Sequence, residues 1–408
     1  MKKPLGTATI ALLMASPAAV SAESLETRLE RLESRTAELE ANTQRQEPDP
    51  AERKARTEGE PERLKPLSEE LSASGLRQMI GGLIEVEAFH VSPYEGDDES
   101  DIVLATFELG ISAQINHWVE ATASLLYEQD ETDLEVDVAY LSIANAEASP
   151  FFLSAGQLYV PFGSFETNLV SDPLTLEIGE SRETALQVGF VAGDVLGSLY
   201  VFNGDNSIEG ESTIGSWGAN LGYAHEEQER AWAFGVGYIN DLGDSDTLQD
   251  ATNDNRVTAL DAQLAEGMDT TGFNVDPTRR VGGWTLNAST AIGPFNLIGE
   301  YLSATDHFDV DSLAYRGAGA KPAAWNIEAG FSFPVLGRAS VAAIAYQGTQ
   351  EALALELPEE RWLVGWSIAL FEQTSLSFQW AHDRDYSESN GGTGESADTI
   401  TAQLAVEF

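Results

Sequence analysis

The chain has 408 residues, no cysteine and a formal charge of -45. The missing cysteines exclude a disulfide framework and any thiolate metal site. The acidic excess excludes nucleic acid as a partner, because phosphates would be repelled. Length alone suggests two or three soluble domains, yet large barrels exceed that prior as single units.

Residues 1–22 have the features of an export signal. Lys2 and Lys3 precede a short apolar run from Ala8 to Ala15, and Val20-Ser21-Ala22 supplies small residues for cleavage ahead of Glu23. The apolar run is too short to cross a bilayer as a helix. Over 23–46, Leu25, Leu32 and Leu39 recur every seven residues, with Leu29, Thr36 and Thr43 at the alternate seam positions. This predicts a short coiled-coil helix in the periplasm, marginal alone and stabilised by bundling into a homo-oligomer, expected to be a trimer. A single amphipathic helix is the alternative, and Thr at the seam leaves the number of helices open. From 47 to 78 the composition turns to Glu, Arg, Lys and Pro, with Pro48, Pro50, Pro61 and Pro66, and predicts a poorly ordered linker.

From Met79 onward the hydrophobic period becomes two. Val103, Ala105, Phe107, Leu109 and Ile111 oppose Thr106, Glu108 and Ser112, and Leu134, Val136, Val138 and Tyr140 oppose Glu135 and Asp137. Trp217 to Tyr223, Trp232 to Tyr238, Trp362 to Leu370 and Ile400 to Phe408 repeat the pattern. No window approaches ~20 continuous apolar residues. A membrane-spanning chain of this kind must therefore close its sheet into a barrel, since lipid satisfies no backbone polar group.

The pattern predicts strands near 82–91, 101–115, 117–128, 134–146, 150–160, 184–191, 195–203 and 214–225. Eight more follow near 230–240, 281–292, 294–304, 323–333, 337–347, 361–371, 374–383 and 398–408. Tight turns such as Gly193-Asp194, Gly293-Pro294 and Glu372-Gln373 mostly alternate with long acidic joins such as 204–213, 241–280 and 384–397. A stacked sandwich does not predict that asymmetry, whereas an outer-membrane barrel with short periplasmic turns and long external loops does. The expected fold is thus an all-β, antiparallel transmembrane barrel over 79–408, in contact with lipid and lipopolysaccharide in a bacterial outer membrane. Trp118, Tyr127, Tyr140, Trp217, Tyr238, Trp284, Tyr301, Trp325, Trp362 and Trp380 are candidates for its interfacial girdles, and the terminal Phe408 resembles the assembly signal of such barrels.

Residues 79–408 hold roughly 10 of the 22 basic side chains and 53 of the 67 acidic ones. On the polar faces of the early strands, Glu85, Glu87, Glu108, Glu120, Glu135 and Asp137 are expected to face the lumen. Acids lining a narrow passage attract cations and repel anions. Much of the remaining acidic excess is expected on external loops.

The join after the fifth strand, 161–183, is too apolar to sit in water: Phe162, Phe165, Leu169, Val170, Leu174, Leu176 and Ile178 need cover. It predicts either a constriction folded into the lumen or a hairpin packed on the rim. For the first, Phe165, Glu166, Asn168, Asp172, Glu177, Glu180, Arg182 and Glu183 would stand near the narrowest point. The run Gln157-Leu158-Tyr159-Val160-Pro161-Phe162-Gly163, with Asn168, Ser171-Asp172-Pro173-Leu174-Thr175-Leu176 and Gly179-Glu180-Ser181-Arg182-Glu183, resembles the LbtU-type siderophore porins. That resemblance implies an outer-membrane barrel with an N-terminal helical extension and a role in ferric-siderophore uptake.

No catalytic centre, cofactor or metal site is expected. Asp306-His307 and His382-Asp383 are adjacent in the chain, and neighbours in a strand point to opposite faces, so neither is a ready acid–base pair. The acidic stretch 241–254 has no EF-hand ligand pattern. The expected function is passive passage of small solutes, with ferric siderophore the first candidate and a general or cation-preferring pore the second. A structural tether working through residues 23–46 is the rival of another class.

Overall fold

A computed structural model of the chain describes residues 77–204, 208, 213–227, 230–265 and 277–408. The expected signal, coiled-coil helix and linker lie outside the described residues. The first strands are β1 (Arg77–Ser92), β2 (Glu99–Gln114), β3 (Val119–Glu128), β4 (Thr132–Ala144), β5 (Phe151–Tyr159) and β6 (Arg182–Ala192). Then come β7 (Val195–Phe202), β8 (Ser216–Glu227), β9 (Arg230–Ile239), β10 (Gly283–Ile292) and β11 (Phe295–Ala304). A small hairpin, β12 (Ala314–Tyr315) with β13 (Ala318–Gly319), stands apart. The last five are β14 (Ala323–Val335), β15 (Arg338–Gln350), β16 (Glu360–Phe371), β17 (Thr374–Arg384) and β18 (Ser396–Glu407). Two helices lie in the long joins, α1 (Leu174–Gly179) and α2 (Asp246–Ala265).

Apart from the small hairpin, the strands form one closed antiparallel barrel of sixteen, each paired with its chain neighbours and β18 paired back to β1. Every strand read from the sequence has its counterpart, with ends shifted by a few residues. Closure leaves no sheet edge for lipid to contact. At the seam, the Gly82 N–H donates to the Phe408 carbonyl at 2.9 Å and the Phe408 N–H returns the bond at 3.0 Å. The Phe408 ring lies where a Gly82 side chain would stand, 2.6 Å from an added Cβ, and the Glu108 carbonyl is equally close. Gly82→Val is therefore expected to impair closure by overpacking, costing about 1–3 kcal/mol. A lower temperature for loss of the compact, fast-migrating species on unheated gels is the measurement; an unchanged one would mean that the seam tolerates the bulk.

Outward positions carry an apolar band. Ile84, Val86, Leu199, Leu221, Leu286, Leu297, Ile327, Val364 and Ile400 are all exposed on the bare barrel, as lipid-facing side chains must be. Aromatic pairs gird the long-loop rim: Trp217 with Tyr238 at 5.3 Å, Trp284 with Tyr301 at 5.2 Å, and Tyr346 with Trp362 at 4.7 Å. At the opposite rim two-residue turns reverse the chain, and Leu336-Gly337 has positive φ at both residues (52° and 78°). That matches the right-handed twist of the flanking strands.

The even alternation expected for β4 is corrected. Register against β3 slips twice, so that β4 carries an extra residue between Val136 and Ala139 and another between Thr132 and Glu135. Leu134 and Val136 face outward, but Val138 is fully buried and Tyr140 packs against the interior apolar cluster. Tyr140 accordingly leaves the list of girdle residues. The extra residue beside Asp137 brings Val138 to the inner side together with Glu135 and Asp137.

Candidate functional site

The join between β5 and β6 turns into the barrel and is held there by side chains from the far wall. Inward residues of that wall identify themselves by parity: Thr285, Glu300, Glu328, Gln347 and Gln379 are all buried, while Leu286, Tyr301, Ile327, Tyr346 and Phe378 beside them face out. On β10, the Thr285 hydroxyl donates to the Phe162 carbonyl at 2.5 Å. On β11, Glu300 accepts the N–H groups of Ser164 (2.8 Å) and Phe165 (2.9 Å) and the Thr175 hydroxyl (3.0 Å). On β14, Glu328 accepts the Asn168 N–H and the Thr167 hydroxyl, both at 2.7 Å. Gln379 on β17 accepts the N–H groups of Val170 (2.8 Å) and Ser171 (3.0 Å), and Gln347 on β15 accepts that of Leu174 (3.1 Å).

The segment needs these partners because it is not part of the sheet. A buried backbone N–H without an acceptor costs about 1–3 kcal/mol, and the wall carboxylates and amides satisfy six of them. Its apolar residues are covered as well. Phe162, Leu174 and Ile178 join Leu302, Leu242, Phe308 and Leu355 in the main interior cluster, and Leu169 lies against Ala345, Leu363 and Ala381. Gly237 on β9 leaves room for the Phe162 carbonyl, which an added Cβ would strike. The rim-hairpin alternative is therefore overturned, since bonds to five separate inner-wall positions are out of reach of a hairpin on the rim.

The opposite wall, β1 to β4, is acidic. Glu85, Glu87, Glu108 and Glu120 are partly exposed inward positions, as is Glu135. Asp137 is fully buried, and accepts from Ser124 (2.9 Å) and Tyr159 (2.7 Å). Arg182 at the start of β6 closes on this pair, 2.5 Å from Glu135 and 3.4 Å from Asp137. A second inward arginine, Arg361 on β16, is held by Asp383 through two bonds of 2.7 and 2.8 Å. Each of these cations is thus occupied by its own carboxylate partners.

Of the residues expected at the constriction, Asp172, Glu177 and Glu183 are buried, Glu180 and Asn168 are half-buried, and Glu166 is exposed. Phe165 adopts a left-handed backbone (φ 54°) and packs on the interior cluster. Burial pushes the Asp172 carboxyl well above its ordinary range, and Glu177, Glu180, Glu128 and Glu85 push in the same direction. Burial likewise raises Glu180 to about 8, aided by Asp246 and Glu177.

The holding residues Glu300, Glu328, Gln347 and Gln379, with Glu128 and Arg361, were not singled out from the sequence. Their signal was there as polar residues at the inward parity of otherwise apolar strands, Glu328 between Ile327 and Ala329 for example. His382, half-buried, meets Asp398 at 3.0 Å rather than Asp383, and the exposed His307 stands 3.6 Å from Asp306. The acidic stretch 241–254 is largely taken up by α2.

No protein-family model matches the chain. Over 360 residues it is 29% identical to a UPF0422 protein of Legionella pneumophila strain Lens, covering 81% of this chain and 66% of that one. The chain thus spans just under two thirds of that relative's length. A UPF0422 protein of Coxiella burnetii is 28% identical over 372 residues, covering 84% of this chain and 76% of that one. Among solved structures, the outer-membrane channel DcaP of Acinetobacter baumannii superposes with a TM-score of 0.54 at 12% identity, covering 82% and 97% of the two chains. An anion-selective porin from Comamonas acidovorans gives 0.55 at 14%, covering 82% and 100%. Identities this low speak to fold alone, and that fold is the closed barrel of outer-membrane porins.

Proposed function

We propose that the chain is a passive outer-membrane porin that favours cationic and neutral small solutes over anions. The observation that carries this reading is the acidic inner wall of β1 to β3, where Glu85, Glu87, Glu108 and Glu120 are partly exposed, together with the exposed Glu166 and half-buried Glu180 of the inward segment. In a passage with low-dielectric walls such an arrangement concentrates cations and excludes anions. The Comamonas neighbour is described as anion-selective; the lining of this chain argues for the opposite sign. Ferric siderophore, the solute implied by the LbtU-type resemblance, fits this lumen as a neutral or cationic complex and poorly as an anionic one.

Reversal potentials of the purified chain in planar bilayers under a KCl gradient test the proposal. Cation preference is the expected result. Anion preference overturns it, and a chain that inserts without conducting points to the structural tether. Conductance steps in groups of three would support a homotrimer, and loss of that grouping on removing residues 23–46 would assign the assembly to the expected helix.

The pH dependence has a defined sign. The Glu180 carboxyl is neutral below its raised value and charged above it, so cation preference is expected to grow as pH rises through about 8. Glu180→Gln should flatten that rise. A preference that stays constant through this range would show that Glu180 does not face the permeating ions.

A further inference from the structure

We propose that the lumen carries a binding track for aliphatic diamines and polyamines, formed by Glu85, Glu87, Glu108 and Glu128 on the wall with Asp172 and Glu180 facing them. The inference rests on the porin reading and adds a solute class to it. Its first support is spacing. Glu85 and Glu87 share one face of β1 two residues apart, which places them about 6.7 Å from one another along the strand. That is comparable with the separation of the two nitrogens in a short aliphatic diamine. Glu108 follows on β2, and Phe89, partly exposed two residues beyond Glu87 on the same face of β1, offers an apolar surface on which a methylene chain can lie.

The second support is the state of the carboxylates. Glu87 is bonded to Gln403 at 2.9 Å and Glu128 to Thr132 at 2.8 Å, both neutral partners. Among the described residues no cation forms an ion pair with Glu85, Glu87, Glu108 or Glu128, while Arg182 and Arg361 are committed elsewhere.

Asp172 supplies the third and independent support. It is 2% exposed and, among the described residues, neither of its carboxyl oxygens has a hydrogen-bond partner. A buried polar group normally finds a partner, and one without it calls for an explanation. Asp172 belongs to the inward segment rather than the wall; its neighbour Ser171 is bonded to Gln379 of β17 at 3.0 Å, and Gln379 pairs in register with Thr401 of β18, which pairs with Phe89 of β1, so Asp172 stands about two strand spacings from the strand that carries Glu85 and Glu87. Ammonium groups with several N–H donors satisfy such oxygens and neutralise the neighbouring charges together. A single metal ion does not fit, because among the described residues no three carboxylates or imidazoles converge closely enough to hold one. Charges spread along a track suit a cation whose own charges are spread.

Single-channel currents carried by K⁺ through the full chain, with putrescine or spermidine added on one side, test the track. Butylamine and MgCl₂ serve as probes of single charge and of compact double charge. The diamine is expected to interrupt the current at a concentration about tenfold lower than either. Glu85→Gln/Glu108→Gln should abolish that discrimination and Asp172→Asn should weaken it, whereas Glu372→Gln in the β16–β17 turn should behave as the parent. Compact migration on unheated gels identifies variants that have folded, and the single Asp172→Asn substitution stands as the test if the double variant has not. Equal block by all the probes, or block untouched by these substitutions, overturns the track while leaving a cation-preferring porin intact. Absence of cation preference overturns the cation-preferring reading on which the track rests.

Discussion

Removing both acidic holdfasts, Glu300→Ala/Glu328→Ala, is expected to raise single-channel conductance several-fold and to blunt ionic preference while the barrel stays closed. Glu300 serves two backbone N–H groups and one hydroxyl of the inward segment, and Glu328 serves one N–H, one hydroxyl and the Asn168 amide. Hydrogen bonds to charged groups contribute about 1.5–3 kcal/mol each, and the orphaned donors would then be buried without acceptors. The segment escapes that penalty by leaving the wall for water. None of the lost bonds belongs to the sheet, so strand pairing through β11 and β14 is unaffected. The apolar contacts of Phe162, Leu174 and Ile178 oppose release, and either single variant should therefore show a smaller, noisier increase. Conductance of the double variant equal to that of the parent would mean that apolar packing alone keeps the segment inside. Gly237→Val attacks the same docking sterically at Phe162 and should act in the same direction.

Much of this architecture was legible because lipid imposes an outward period of two that no interior detail can disguise. Trp362, Val364 and Trp366 must all face the bilayer, and the turns at Gly193-Asp194 and Gly293-Pro294 fix where the pattern restarts. The inward turn of 161–183 was legible as a need for cover, from seven apolar residues in a nominal loop, though not as a choice between lumen and rim. What decides that choice is chemistry on distant strands. Glu300 and Glu328 lie 135 and 160 positions from their backbone partners, and nothing local marks them as acceptors for an incoming chain. The bulges in β4 were hidden for another reason. Val138 and Tyr140 are as apolar as the lipid-facing residues before them, so a slip in register leaves the hydrophobic string unchanged.

Those bulges matter for Arg182, where the second large effect is expected. Glu135 and Asp137 share the inward parity of β4, the extra residue beside Asp137 brings Val138 in with it, and Gln157 of β5 donates to the Val136 and Asp137 carbonyls at this bulge, at 2.8 Å each. Asp137 is fully buried, and Arg182 is the cation that meets it. Arg182→Met is therefore expected to destabilise this part of the barrel by about 3–5 kcal/mol, the penalty for a buried charge left alone. Asp137→Asn removes the charge and keeps one oxygen to accept from Tyr159, while the Ser124 hydroxyl can turn to accept from the new amide N–H, so Arg182→Met/Asp137→Asn should recover much of that loss, and the two effects should not add. Thermal conversion of the compact species, followed on gels, reads the stability. Additive losses would mean that the pair is not coupled and that Arg182 serves Glu135 alone. The single Arg182→Met variant should also favour cations more strongly than the parent, since it strips the wall of a positive charge; a shift toward anions would contradict the lumenal placement of this arginine.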